Sequence, residues 1–248
     1  MMYMFKIGFY ALLLVLMMAC GSAGIKRNSN DVVVAPELMD TGQYLPQQTF
    51  DGKTSTFLPY EHKENPYLAL EGKIKKEAVT KFIEARRALR SNELALAEKL
   101  FEEVSVIDPD LSGPWVMRGD IALKSQDRAR AVTHFQKAIS VNAKNINAYI
   151  KLAKTQRQLG KFIDAQNTYA NALQVWPDFP EAHLNLGILY DIYLNQALQA
   201  QKHMEAYVFL TEDENAQVAL WLREIQKRTG VAPSLTQKRG ADSAISVN

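Results

Sequence analysis

The sequence predicts an all-α fold built from repeated pairs of helices, because a helical pattern begins at about Lys73 and then recurs every 34 residues. Three kinds of position keep this step: a small residue, an aromatic residue, and a second small or aliphatic residue. They are Ala97, Ala131 and Ala165; Phe101, Phe135 and Tyr169; and Val104, Ala138 and Ala172. Because all three recur in register, chance is a poor explanation. A period of this length indicates a solenoid whose units bury their apolar faces against one another.

The first and last positions of each unit recur as well. Trp115, Tyr149 and His183 open successive units, Gly119, Ala153 and Gly187 follow them, and Pro109 and Pro177 close the first and third units. A 34-residue unit with this arrangement resembles the tetratricopeptide repeat. The resemblance implies that each unit is an antiparallel pair of helices, A and B, with a small residue where the two cross. The pairs are then expected to wind into a right-handed superhelix.

The repeats divide the chain into segments. We expect a tetratricopeptide domain over residues 65–228, with units at 78–111, 112–145, 146–179 and 180–212 and a capping helix over 213–228. The fourth unit slips by one residue, so that Ala200 and Met204 take the small and aromatic positions. Thr211-Glu-Asp-Glu214 is a capping-box sequence before the last helix, which would cover the apolar face of the last pair. The tail over 229–248 is predicted to be disordered.

Residues 1–19 are predicted to be a signal peptide. The apolar run over 7–19 would be about 20 Å long as a helix, too short for the hydrocarbon core of a bilayer. The run ends at Met17-Met-Ala-Cys20-Gly-Ser, which resembles the lipobox of bacterial lipoproteins, although Met17 stands where leucine is usual. The resemblance implies lipidation of Cys20 and cleavage before it. An ordinary signal peptide and an uncleaved anchor remain as alternatives.

The segment over residues 20–64 is predicted to be a flexible linker that follows the lipidated cysteine. It has no helical periodicity, and it contains Pro36, Pro46 and Pro59 among many polar residues. A flexible coil of this length would span about 35–40 Å on average. The folded domain would then stand away from the membrane surface.

Charge and composition argue against several classes of protein. The chain has 29 lysines and arginines against 27 aspartates and glutamates, so it lacks the basic excess that nucleic-acid binding usually requires. Its single cysteine cannot form an internal disulfide or a multi-thiolate metal site. No histidine pair, glycine-rich phosphate loop or serine elbow is evident. We therefore expect no enzyme activity, no cofactor, no metal and no small-molecule substrate.

A groove lined by the A helices is the predicted partner-binding site, because tetratricopeptide proteins use this face for peptides or partner helices. The resemblance places there Phe82, Arg86, Met117, Asp120, Lys151, Lys154, Arg157, Asn185, Ile188 and Asp191, with Arg90 and Lys124 beside them. Lys151, Lys154 and Arg157 lie three residues apart and so share one helix face. Such a basic stripe would suit an acidic or C-terminal peptide. The alternative is that these charges form only a solvated helix surface.

The predicted function is a non-catalytic scaffold anchored by lipid in the bacterial envelope. The segments Leu184-Asn-Leu-Gly-Ile-Leu-Tyr190 and Trp221-Leu-Arg-Glu-Ile-Gln-Lys-Arg228 resemble envelope tetratricopeptide lipoproteins of TonB-type systems, and others of this kind assist pilus assembly. The resemblance implies envelope proteins or peptides as partners. Gly21 after the cysteine favours the periplasmic face of the outer membrane, with inner-membrane anchoring or a soluble periplasmic protein as alternatives. An adaptor that regulates a peptidoglycan hydrolase is the alternative function.

Overall fold

The computed structural model describes residues 37–69, 72–211 and 216–235. These residues lie in one compact unit that begins at residue 36. The predicted signal peptide, Cys20, Glu212–Glu214 of the capping box and the tail from 236 lie outside the described residues. Within the described ranges, no helix is long and apolar enough to cross a membrane.

The described part of the chain is a succession of nine helices. They are α1 Lys76–Arg90, α2 Leu94–Ile107, α3 Gly113–Lys124, α4 Arg128–Val141, α5 Ile146–Gln158, α6 Phe162–Val175, α7 Pro180–Ile192, α8 Ala197–Thr211 and α9 Ala216–Thr229. Each helix packs against the next along the chain. The pairs α1–α2, α3–α4, α5–α6 and α7–α8 are the four repeats, and α9 packs on α8 at the C-terminal end. The predicted all-α solenoid of tetratricopeptide repeats is confirmed.

The recurring small and aromatic residues form the core between the helices. Phe101, Phe135 and Tyr169 are fully buried, and so are the alanines four residues before them. Burying one such ring contributes about 2–3 kcal/mol. The small residues let helices A and B approach closely, and the rings fill the space between successive pairs. The 34-residue pattern is therefore a pattern of packing positions.

The turn between helices A and B repeats its backbone geometry. Asn92, Gln126 and Gly160 all have φ between 61° and 75°, and they are 34 residues apart. The equivalent residue in the fourth repeat is Asn195, with φ 52°, which lies one residue later than the period requires. This left-handed residue ends helix A and lets the next backbone N–H reach back to the helix. The one-residue slip predicted in the fourth unit is thus an inserted residue in this turn.

Replacing Gln126 by glycine should stabilise the protein by about 0.5–1 kcal/mol, because a side chain at positive φ costs roughly 1 kcal/mol and glycine avoids that cost. Gly160→Gln is the reverse change, at φ 75° with nothing within 4 Å of its added Cβ, and should destabilise by a similar amount. Urea denaturation of both variants measures the two changes. Equal signs for the two would contradict this account of the turn.

The expectation of a flexible linker over 20–64 is wrong for residues 37–64. Residues 37–67, here called the strap, are packed against the third and fourth repeats. The strap contains a short 3-10 helix over Gly42–Tyr44 and a hairpin of β1 Phe50–Asp51 and β2 Thr56–Phe57, with Phe50 opposite Phe57. Tyr44 and Tyr67 pack against the large core cluster. The polar composition misled the prediction because the strap is held mainly by hydrogen bonds to helix side chains.

Candidate functional site

The predicted groove residues lie on equivalent turns of α1, α3, α5 and α7. Ile83, Met117, Lys151 and Asn185 occupy one row at a step of 34 residues, and Arg86, Asp120, Lys154 and Ile188 occupy the next. Of the ten predicted residues, Arg86 and Lys154 are exposed, Asn185 is buried, and Phe82, Met117, Asp120, Lys151, Arg157, Ile188 and Asp191 are partly buried. These rows share the A-helix face, so the solenoid brings the predicted set together as a surface. Its two halves differ in chemistry.

In the middle of the groove, the predicted basic stripe is partly neutralised. The Lys151 ammonium donates to Asp120 Oδ1 at 2.8 Å, which links α5 to α3. The pair is half exposed, so it adds little to stability. It does remove Lys151 as a free cation for a partner. Lys154 remains exposed, and no ion pair in the described part of the chain involves it.

The fourth-repeat end of the groove is satisfied within the chain. Asp191 accepts a hydrogen bond from Trp221 Nε1 at 2.7 Å and pairs with Arg228, both on the capping helix α9. The Asn185 amide donates to the Glu181 carbonyl at 2.6 Å. Because these groups already have partners inside the chain, they are less available to a ligand. Asp191 and Asn185 therefore position the capping helix and α7.

Arg157 also has a partner within the chain. Its guanidinium lies 5.7 Å from the centre of the Tyr193 ring, within the range of a cation–π contact. Both side chains belong to the C-terminal half of the groove. The basic stripe predicted on α5 therefore reduces to one unpaired cation, Lys154.

The first two repeats offer a more open surface. Val79 and Ile83 on α1 are 42% and 52% exposed, although both are large and apolar. Phe82 beside them packs edge-on against Phe101, with ring centres 5.2 Å apart. Val79 and Ile83 were missed by the sequence prediction. The signal that would have found Ile83 is its position one period before Met117, which was predicted.

Cations flank this apolar surface. Arg86 and Arg90 on α1 and Lys124 on α3 are exposed, and none takes part in an ion pair within the described residues. Three unpaired cations beside exposed aliphatic side chains fit a segment that carries both acidic and large apolar residues. We call this face, formed by Val79, Ile83, Arg86, Arg90 and Lys124, the N-terminal groove.

On the third and fourth repeats, the strap is fastened by a chain of buried hydrogen bonds. Thr41 Oγ1 lies 2.7 Å from His203 Nε2 and 3.1 Å from the Tyr190 hydroxyl, and the Gln166 amide donates to that hydroxyl at 2.8 Å. Gln166 also bonds the backbone of Met39. The strap thereby closes a polar network whose members lie on α6, α7 and α8.

The two buried histidines in this network contact each other. His183 Nδ1 lies 2.9 Å from His203 Nδ1, and His183 Nε2 lies 2.8 Å from the Pro177 carbonyl oxygen, to which it donates. Burial lowers the pKa of His183 to about 4 and holds the pKa of His203 well below its usual value. All four ring nitrogens have a partner, so the pair is structural. Among the described residues, no group of three or more potential ligands is placed to hold a metal ion.

His134 corrects a further expectation. Its place on α4 predicted an exposed position, but the ring is buried and stacks at 5.9 Å from Trp115. Burial is also the main cause that lowers the pKa of His134. The reason is that α4 packs on both α3 and α5, so only a narrow strip of it faces solvent.

Comparison with known proteins supports the repeats directly. Residues 113–145 and 150–192 match two family models described as tetratricopeptide repeat. A DnaJ homolog subfamily C member 7 homolog of Schizosaccharomyces pombe is 27% identical over 147 residues, which cover 54% of this chain and 30% of that protein. A CTR9 homolog of Arabidopsis thaliana is 26% identical over 161 residues, 64% of this chain and 14% of that protein. The chain therefore spans less than a third of either relative.

Solved structures show the same fold. A tetratricopeptide repeat protein of Parabacteroides merdae superposes with a TM-score of 0.55 at 20% identity, covering 63% of this chain and 61% of that one. MamA of Desulfovibrio magneticus gives 0.53 at 19% identity, over 64% and 88% of the two chains. PilF of Pseudomonas aeruginosa gives 0.53 at 15% identity, over 62% and 69%. The protein is thus a solenoid of tetratricopeptide repeats, a class that generally mediates protein–protein interactions.

Proposed function

We propose that this protein is a non-catalytic adaptor of the bacterial envelope, anchored by lipid at Cys20, which binds a partner through the N-terminal groove. The observation that carries the proposal is the set of three unpaired cations, Arg86, Arg90 and Lys124, beside the exposed side chains of Val79 and Ile83. The partner segment is acidic and apolar, because it must match both features.

The charge distribution favours binding at the first two repeats over the third and fourth. Lys151 and Asp191 are paired within the chain, so a partner that contacted them would first have to break those pairs. The N-terminal groove presents its cations without such competition. Binding there should weaken as ionic strength rises, because exposed charges are screened by salt.

Reversing the charge of the N-terminal groove should weaken binding about tenfold or more, since three favourable contacts become repulsive. The test uses the variant Arg86→Glu with Arg90→Glu and Lys124→Glu. The probe is a fluorescein-labelled twelve-residue peptide of glutamate and leucine, with the leucines at helical spacing. Fluorescence anisotropy at low salt measures the affinity, and thermal unfolding confirms that the variant is folded.

The control for this experiment reverses three exposed lysines that lie off the A-helix face. Lys99→Glu with Lys144→Glu and Lys161→Glu changes the net charge by the same amount. We expect its affinity for the peptide to stay within about twofold of the native protein, apart from long-range attraction. Equal losses in both triple variants would show that the peptide senses net charge alone, and the groove assignment would be abandoned.

The lipid anchor rests on the lipobox-like sequence that ends at Cys20. The compact unit begins at residue 36, so a shorter segment separates it from Cys20 than the sequence predicted. Even fully extended, residues 21–36 reach only about 55 Å. An anchored protein would therefore keep its repeats near the membrane surface, where the partner is expected to be a component of a pilus-like or TonB-type machine at the outer membrane.

Replacing Cys20 by serine should release the protein from the membrane, because stable anchoring needs the acyl chains that only the cysteine can carry. Flotation of membranes from cells expressing the native and Cys20→Ser proteins measures the attached fraction. Ser22→Ala serves as the matched control next to the site. Attachment of Cys20→Ser at the native level would refute lipidation and leave the groove proposal unaffected.

A further inference from the structure

The strap encloses a slot that is separate from the A-helix groove. Its hairpin is closed by the backbone bond from Leu58 N to Thr49 O at 2.8 Å. Beyond that bond the two sides diverge, and residues 43–49 and 58–63 become the walls of a cavity of about 500 Å³. Pro177 and Asp178, in the turn between α6 and α7, are the floor. This volume lies within the roughly 300–1,000 Å³ of typical ligand pockets.

The wall formed by residues 58–63 is fixed to the floor. The Tyr60 hydroxyl donates to Asp178 Oδ1 at 2.7 Å, and Lys63 N donates to Asp178 Oδ2 at 2.7 Å. The Lys63 carbonyl accepts from Trp176 Nε1 at 2.6 Å. The ring of Tyr60 also packs edge-on against Phe209 of α8. With both Asp178 oxygens occupied, this wall has a defined position.

The opposite wall is held by different elements. Thr41, just before it, is bound by His203 and Tyr190, and Tyr44 packs against the main core. The two walls therefore depend on separate sets of contacts, and bringing them together would break one set. The slot is open because its sides are anchored apart.

The facing edges of the slot have free backbone capacity. Within the described residues, no backbone hydrogen bond joins residues 45–47 to residues 59–62. Two extended segments with unpaired edges are the template to which another strand adds. Leu45 and Leu58 line the slot beside Pro177, and the charges of Glu61 and Lys63 offset each other. The slot thus offers main-chain partners and apolar walls without a net charge.

We propose that this slot binds an extended, uncharged segment of a partner protein, which enters as a strand between residues 45–49 and 58–62. Its main chain would hydrogen-bond to both walls, and alternate side chains would meet Leu45 and Leu58. The exposed pair Phe50 and Phe57, with ring centres 5.3 Å apart, lies next to the mouth and extends the contact surface. This second site is independent of the N-terminal groove and of the lipid anchor.

The test uses the full chain and a defined peptide of alternating threonine and valine, five residues long, with one lysine at each end for solubility. A second peptide of the same sequence is N-methylated at alternate residues, which removes the donors along one edge and leaves the side chains unchanged. Two-dimensional NMR of the labelled protein reports both the affinity and the amides that respond. We expect shifts at residues 45–49 and 58–62, and about tenfold weaker binding of the methylated peptide.

A matched pair of variants tests the wall of the slot. Leu58→Asp places a charge against the bound strand, whereas Leu68→Asp makes the same change in the neighbouring segment outside the slot. Leu58 is 48% exposed and Leu68 is 81% exposed, so both variants should fold. Binding should fall about tenfold in Leu58→Asp and stay within about twofold in Leu68→Asp.

Three results would overturn the proposal. The first is that the peptide shifts amides of α1 and α3 and leaves those of the slot unchanged. The second is equal binding of both peptides, which would show that no strand is formed. The third is that binding requires removal of residues 236–248, because the slot would then belong to this chain's own tail. If a soluble peptidoglycan fragment shifts the slot amides and the peptide does not, the ligand class is a glycan and the assignment fails.

Discussion

Gly119→Ala is expected to destabilise the protein by about 2–3 kcal/mol. A Cβ added at Gly119 would lie 2.2–2.7 Å from three atoms of the Phe135 ring, closer than atoms can approach. The ring is fully buried and cannot move aside without disturbing the neighbouring repeat. Overpacking of this kind costs about 1–3 kcal/mol or more, which exceeds the gain of about 1 kcal/mol from placing alanine in a helix. Urea denaturation measures the difference.

Two other glycines provide graded controls for this prediction. At Gly113 an added Cβ meets only Phe82 at 3.8 Å, an ordinary contact, so Gly113→Ala should change stability by less than about 0.5 kcal/mol. At Gly187 the Cβ would lie 2.6 Å from Met204 Cγ, which belongs to a flexible side chain. Gly187→Ala should therefore fall between the other two. If Gly119→Ala were as stable as Gly113→Ala, the close crossing of α3 and α4 would be wrong.

Acidification from pH 6.5 to about pH 4 should cost the protein about 3 kcal/mol of folding free energy through His183 alone. Its pKa falls to about 4 in the folded state, chiefly through burial, whereas an unfolded histidine titrates near 6.5. The unfolded chain therefore binds the proton first, and stability is lost as pH falls below about 6.5. His203 adds to the loss in the same direction, because burial and the neighbouring His183 lower its pKa as well.

Denaturation by urea across this pH range measures the effect. The double variant His183→Gln with His203→Gln should be less stable than the native protein at pH 7, because the hydrogen bonds to Thr41 and Pro177 change. It should also lose less stability on acidification. His62→Gln removes an exposed histidine of the strap and should leave the pH dependence unchanged. A native slope in the double variant would mean that carboxylates, and not these histidines, govern acid stability.

The repeats could be predicted from the sequence because one local packing rule is applied four times. Each of Phe101, Phe135 and Tyr169 meets the same environment, so their spacing alone reveals the architecture. Even the irregularity of the fourth unit left a trace, since the left-handed turn residue moved to Asn195. The packed strap left no such trace. Its contacts join Thr41 to His203 and Tyr60 to Asp178, over separations of more than a hundred residues, and no periodicity encodes them.

The groove could be predicted in position but only partly in chemistry. The period places Lys151 and Asp120 on the groove face, but it does not show that they neutralise each other. It also does not show that Asp191 is held by Trp221 and Arg228 of the capping helix. Which charges stay free depends on the pairing of side chains from different helices. The structure thereby moves the expected site from the third repeat to the first two.

Site-specific photocrosslinking in intact cells tests the central claim most directly, because it reports where a partner touches the solenoid. A photoreactive phenylalanine replaces Ile83 in the N-terminal groove or Val106 on α2, which is more exposed but lies on a B helix. We expect a discrete crosslinked partner from position 83, absent from position 106, and lost when Arg86, Arg90 and Lys124 are reversed to glutamate. A partner that crosslinks at 106 and not at 83, or that persists after the reversal, would contradict an adaptor that works through this groove.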